Sequence, residues 1–164
     1  MKAVVCTRYG PPEVLQVKEL ATPVPRKNDV RIRILATAVT SSDCYVRGLD
    51  LSPAYRLMAR LALGWNAPRQ PVLGLVLSGE VDSVGPDAKS FEVGDRVFGF
   101  NRHLFGTYAQ YVCWPEDGLL APRPANLTDE ESAAMVAAAC RKNSTPPVTS
   151  NWLIGADSST GRIT

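Results

Sequence analysis

Residues 29–36, Asp29-Val30-Arg31-Ile32-Arg33-Ile34-Leu35-Ala36, carry the clearest hydrophobic alternation in the chain. Val30, Ile32 and Ile34 fall on one side and Arg31 and Arg33 on the other, a period of two that predicts a half-buried β-strand. Residues 1–6 form a shorter apolar run stopped by Gly10-Pro11-Pro12, and residues 15–20 alternate again before the proline-rich Thr22-Pro23-Val24-Pro25. Between 71 and 100, apolar β-branched stretches with Val81, Val84, Val93 and Val97 are separated by Gly74, Gly79, Gly85, Gly94 and Gly99. Gly85-Pro86-Asp87 and Gly94-Asp95 have the chemistry of tight corners. Residues 107–112 resume the strand pattern, and Pro122-Arg123-Pro124 reads as a stiff connector. Many short strands with such punctuation predict a curved, barrel-like β-domain, in which Gly74, Gly79, Gly94 and Asp95 shape the backbone.

Two segments break the rhythm. In residues 54–65, Leu57, Met58, Leu61, Ala62 and Trp65 recur at helical spacing, with Arg56 and Arg60 on another face. This predicts an amphipathic helix that packs on its own domain, the alternative being a partner or a membrane surface. Thr128-Asp129-Glu130-Glu131 is a capping box, and residues 129–139 are expected to follow it as a helix. The segment 141–164 is rich in Ser, Thr, Asn, Gly and Pro, with one apolar run at Trp152-Leu153-Ile154. No internal repeat is visible.

Composition narrows the class. The chain has 164 residues, 45% hydrophobic and 21% charged, which suits a single globular domain with a core. A net charge of +2 with scattered basic residues gives no electrostatic case for nucleic acid. No apolar run is long enough for a membrane span. Cys6, Cys44, Cys113 and Cys140 form no metal-type pair, and no secretory leader follows Met1-Lys2. Reduced, mostly buried thiols in a cytoplasmic protein are the expectation.

Six stretches, in order, carry a family resemblance. They are M-K-A-V-V-C-T-R-Y-G-P-P-E-V-L, V-R-I-R-I-L-A-T-A-V-T-S-S-D-C-Y-V-R-G, P-V-L-G-L-V-L-S-G-E-V-D-S-V-G, F-E-V-G-D-R-V-F-G-F, G-T-Y-A-Q-Y-V and L-A-P-R-P-A-N-L-T-D-E-E-S-A-A-M. Together they cover roughly residues 1–138 and resemble the N-terminal, GroES-like catalytic domain of zinc-independent quinone reductases in the medium-chain dehydrogenase/reductase superfamily. The resemblance implies an α+β fold, mainly β with some helix, built as a partly open GroES-like barrel. It also implies an enzyme class: reduction of a quinone or enone by hydride from NADPH or NADH, with a small molecule as the partner.

The zinc-dependent branch of the superfamily places a Cys and a Gly-His-Glu triplet at its catalytic ion. Here the matching positions are Thr40 and Gly74-Leu75-Val76, neither of which supplies thiolate or imidazole, and the lone His103 lies in a loop elsewhere. No zinc is therefore expected. In the zinc-independent branch the resemblance points to Thr40, Ser41, Asp43 and Tyr45, in a loop beside the substrate and nicotinamide. The family loop begins Asn-Pro where this chain has Thr40-Ser41, so a hydroxyl stands where an amide is usual. Asp43 is expected to cap the following turn, and Tyr45 either lines the slot or is structural.

The family's second half is a Rossmann domain, essentially missing from this chain. Gly155 and Gly161 echo its phosphate-binding turn, but Asp157 stands where phosphate would lie and the middle glycines are absent. The expected organisation is a catalytic domain over 1–128, a helix leading toward a cofactor domain over 129–140, and an atypical tail over 141–164. NAD(P)H is not expected to bind tightly, and the chain alone is expected to be inactive. The alternative is a non-catalytic β-domain serving as a binding module or remnant. Oligomeric state is not legible.

Overall fold

The computed structural model describes residues 1–49, 52–101 and 105–142. Strands β1 (Lys2–Cys6) and β2 (Leu15–Glu19) pair antiparallel as a ribbon, joined through a short 3-10 turn at Pro12–Val14. β3 (Asp29–Ala36), β4 (Val76–Val84), β5 (Arg96–Phe100), β6 (Tyr111–Pro115) and β7 (Leu120–Pro122) form an antiparallel sheet in the order β6-β3-β4-β5-β7. Helix α1 is Ser41–Gly48, α2 is Pro53–Leu63 and α3 is Asp129–Lys142. The ribbon is tied on by single bridges, Ala3 to Ala109 and Val5 to Val72. Edge strands β6 and β7 do not meet, so the barrel is open and the class is α+β.

The alternation in β3 decides which face is core. Val30 and Ile32 are fully buried and pack with Leu77, Val81, Val97 and Trp114. On the other face Arg31 pairs with Asp82 at 2.6 Å and Arg33 with Glu80 at 3.3 Å, both across the β3–β4 ladder. Gly79 sits in that ladder because a β-carbon there would come within 2.3 Å of the Arg33 carbonyl. At α3 the capping box forms as expected: the Thr128 amide donates to Glu131 and the Glu131 amide to the Thr128 hydroxyl. Asp129 then fastens the helix to the sheet through Ser78, Arg96 and Arg123.

Four expectations change. The stretch 41–48 is helix rather than loop. The last long strand begins at Tyr111, since Thr107 to Gln110 run as an irregular segment bridging β1. Among the described cysteines only Cys6 is buried, with Cys44 exposed and Cys113 intermediate. Finally, α2 buries none of its residues, so it does not pack its apolar stripe on its own domain. Among the described residues no helix is long and apolar enough to cross a membrane.

Candidate functional site

Helix α1 starts where it does because Thr40 and Asp43 cap it reciprocally. The Asp43 carboxylate accepts from the Thr40 amide at 2.8 Å and the Thr40 hydroxyl at 2.6 Å, while the Asp43 amide reaches the Thr40 hydroxyl at 3.4 Å. The other Asp43 oxygen accepts from the Gly74 amide at 3.2 Å. Asp43 is only 3% exposed, so one buried carboxylate joins the start of α1 to the chain entering β4. Gly74 has φ of +95°, in the left-handed region, and lies directly beneath Thr107 and the Tyr108 ring.

The segment after Gly106 docks on that same turn. Thr107 and Tyr108 donate their amides to the Gly74 and Leu73 carbonyls, and Val4 of β1 donates to the Tyr108 carbonyl. Segment 107–110 thus becomes the floor of an open groove of about 460 Å³ between the β1–β2 ribbon and the end of β3. Its walls are apolar, with Leu15 and Val17 from β2, Ile34 and Ala36 from β3, and Val39 and Tyr108 closing the end. The volume lies within the range of small-molecule sites.

Two threonines line the groove, Thr37 and Thr107. Thr37 donates to the Val76 carbonyl at 2.6 Å, so the 3.2 Å contact between the two hydroxyls takes its proton from Thr107. Both protons are committed within the protein and Thr107 is wholly buried, so neither hydroxyl supplies the groove a donor. The groove is therefore suited to a largely apolar body.

The expected site residues separate. Asp43 is the structural anchor of α1, and the Thr40 hydroxyl gives its proton to Asp43; neither lines the groove. Ser41 is exposed on the first turn of α1, and Tyr45 is 57% exposed on the same helix. Leu75 is buried against Val76 and Ala133. His103, Gly155 and Gly161 lie outside the described residues. Among the described residues no three metal-ligating side chains lie together.

Tyr108 was not singled out by sequence, because its contact with Asp43 is made only by folding. Its hydroxyl is buried beside the Asp43 carboxylate without a hydrogen bond of regular geometry. Burial first, then the negative charge of Asp43, holds the phenol pKa well above 10. With the folded value raised, the unfolded chain loses its phenol proton first, so stability from this group is intact below about pH 10 and falls above it. Tyr108→Phe is expected to flatten the loss of stability between about pH 10 and 11.5, read as urea midpoints against pH. An unchanged alkaline slope would remove Tyr108 from that linkage.

The family profile of the alcohol dehydrogenase GroES-like domain matches residues 26–125. A quinone oxidoreductase of Sus scrofa is 32% identical over 136 residues, which is 82% of this chain and 37% of the relative. Among solved structures, an NAD-dependent alcohol dehydrogenase is 36% identical with a TM-score of 0.69, covering 83% of this chain and 43% of that one. The Escherichia coli quinone oxidoreductase complexed with NADPH is 27% identical with a TM-score of 0.65, over 82% of this chain and 36% of its own. The chain thus spans well under half the length of these proteins.

Proposed function

The chain belongs to the alcohol dehydrogenase GroES-like domain family, and from that premise we propose that it is the substrate-binding part of an NAD(P)H-dependent oxidoreductase acting on quinones or conjugated carbonyls. The observation that carries this reading is the apolar groove between the β1–β2 ribbon and β3, where the hydroxyl protons of Thr37 and Thr107 are bonded within the protein. A flat, conjugated ring suits such walls, since its transfer from water is favourable and few polar groups need desolvation. The quinone oxidoreductase relatives support the same acceptor class.

In this reading residues 1–128 hold the acceptor, residues 129–140 lead away toward a cofactor-binding part, and 141–164 are an atypical tail by composition. Thr40 and Asp43 set the position of α1, Ser41 lies on its first turn, and Tyr45 presents an exposed phenol on the same helix, outside the lining of the groove. The described strands are all paired antiparallel. A dinucleotide site needs a parallel strand, a glycine-rich turn and a helix N-terminus in succession. The described residues do not fit NADPH or NADH, and their part in the reaction is to bind the acceptor.

Titration of the 164-residue chain with 1,4-naphthoquinone, followed by NMR shifts, is expected to give saturable binding with the largest shifts at Val17, Val39 and Tyr108. Val17 and Val39 are 70% and 73% exposed, so aspartate at either is compatible with the fold. Val17→Asp with Val39→Asp is expected to weaken the quinone about tenfold by adding charge to the apolar wall. Shifts scattered over other surfaces, or binding indifferent to the double variant, would remove the groove as the acceptor site.

A further inference from the structure

The groove is polar at one end only. Along its lining the Thr37 and Thr107 hydroxyls are bonded within the protein, and the Tyr108 hydroxyl is buried beside Asp43. Two lining side chains remain able to donate, Lys2 and Gln110. They are held side by side. The Lys2 amide donates to the Gln110 Oε1 at 2.7 Å, and the Gln110 amide donates to the Lys2 carbonyl at 3.0 Å. With its Oε1 taken, the Gln110 side chain has its NH2 end to present to a ligand.

The register of the ribbon puts Lys2 on the groove side. Val4 stands opposite Val17 and both line the groove. Residues two apart in a strand share a face, so Lys2 lies on the face of Val4. Lys18, opposite Ala3, lies on the other face and outside the lining. Glu19 stands opposite Lys2 but forms no ion pair with it and does not line the groove. Among the described residues along the lining there is no carboxylate, so the Lys2 ammonium is their sole formal charge. An apolar wall that ends in an ammonium and an amide NH2 accepts a flat apolar body and, at that end, a negative oxygen.

We propose that Lys2 and Gln110 are specificity-determining residues, which select acceptors carrying an anionic oxygen, an ionised ring hydroxyl, at one edge of the flat body. The inference rests on the groove being the acceptor site and names the class of acceptor it prefers. The ring lies along Val4, Val17 and Ile34, and the anionic oxygen meets the Lys2 ammonium and the Gln110 NH2. A groove that recognised apolar surface alone would have the opposite preference, because an ionised hydroxyl loses more hydration on entering it.

The test compares two ligands on the full chain by NMR titration at low salt. One is 2-hydroxy-1,4-naphthoquinone, ionised at neutral pH, and the other is 2-methyl-1,4-naphthoquinone, neutral and of similar size. The hydroxyquinone is expected to bind about fivefold more tightly, with the ratio falling toward one as salt is raised. Lys2→Met is expected to remove the preference, Lys2→Glu to reverse it and Lys2→Arg to keep it. Gln110→Glu keeps an acceptor for the Lys2 amide but sets a carboxylate beside the ammonium, and is expected to remove the preference as well. Lys18→Met, on the other face of the ribbon, is expected to leave it intact. Both ligands are read on the same protein, so a general loss of stability in a variant does not alter the ratio of affinities. A ratio at or below one in the parent, or a preference that survives Lys2→Met or is lost equally in Lys18→Met, would overturn the inference and leave the groove as the acceptor site. If neither quinone shifts the groove residues, the reading of the groove falls and this inference falls with it.

Discussion

Asp43→Ala is expected to lower stability by roughly 3 kcal/mol and the melting temperature by about 6–12 °C, as read by thermal and urea unfolding. The magnitude follows from what the carboxylate holds. It accepts from the Thr40 amide, the Thr40 hydroxyl and the Gly74 amide, and it is almost wholly out of water. Hydrogen bonds to a charged acceptor contribute about 1.5–3 kcal/mol each, though three on one group do not simply add. Alanine leaves the amides of Thr40 and Gly74 without their acceptor and removes one half of the reciprocal cap of α1. Asp43→Asn keeps the shape and one carbonyl oxygen, so roughly half of the loss should return. The informative comparison is with quinone binding. If Asp43 only positions α1 and the turn at Gly74, Asp43→Asn should bind 1,4-naphthoquinone nearly as the parent does while melting earlier. A large loss of affinity with little loss of stability would instead move Asp43 from the scaffold into the acceptor site.

The two capping boxes show how much was readable in advance. Thr128 and Glu131 precede a long alanine-rich run, so the start of α3 follows from the sequence. Thr40 and Asp43 make the same reciprocal contact, but the following S-S-D-C-Y-V-R-G has little apolar periodicity, and the segment reads as a loop. Nothing local announces a helix that is held by a carboxylate reaching Gly74. The β3 faces were legible because alternation with arginines is a local signal, and the sheet supplies Asp82 and Glu80 opposite them. β7 was not legible, being three residues between turns and ending in a proline. For α2 the spacing of Leu57, Met58, Leu61 and Trp65 revealed a stripe, yet periodicity does not say which side of a helix meets the protein.

The groove has a similar history. Thr40 and Asp43 were visible as a pair close in sequence, and they prove to be joined to each other. Tyr108, Thr107 and Val17 come from distant parts of the chain and meet only when the ribbon folds over segment 107–110. The part of the site that sequence exposes is its support, while the part that would touch an acceptor is assembled by topology. Gly74 belongs to both, as a turn glycine by its chemistry and the floor beneath Tyr108 by its position.

That double role makes Gly74→Ala the most damaging single change expected here, at roughly 3–5 kcal/mol. Two causes contribute, and a second glycine separates them. Gly94 has nearly the same backbone, φ of +98° against +95°, but a β-carbon there meets nothing within 4 Å. Gly94→Ala therefore measures backbone strain alone, about 1–2 kcal/mol. At Gly74 a β-carbon would also fall 2.3 Å from the Thr107 hydroxyl and 2.6 Å from the Tyr108 ring, so segment 106–108 must shift. The excess over Gly94→Ala, about 2–3 kcal/mol, reports that displacement. The same displacement reshapes the floor of the groove, so naphthoquinone affinity should fall in Gly74→Ala and stay level in Gly94→Ala. Adding Thr107→Ala removes the nearest obstructing atom and should recover part of the excess, appearing as non-additivity in a double-mutant cycle. Equal costs at the two glycines would mean that segment 106–108 yields freely, and the groove would then have no fixed floor on which to select a flat ligand.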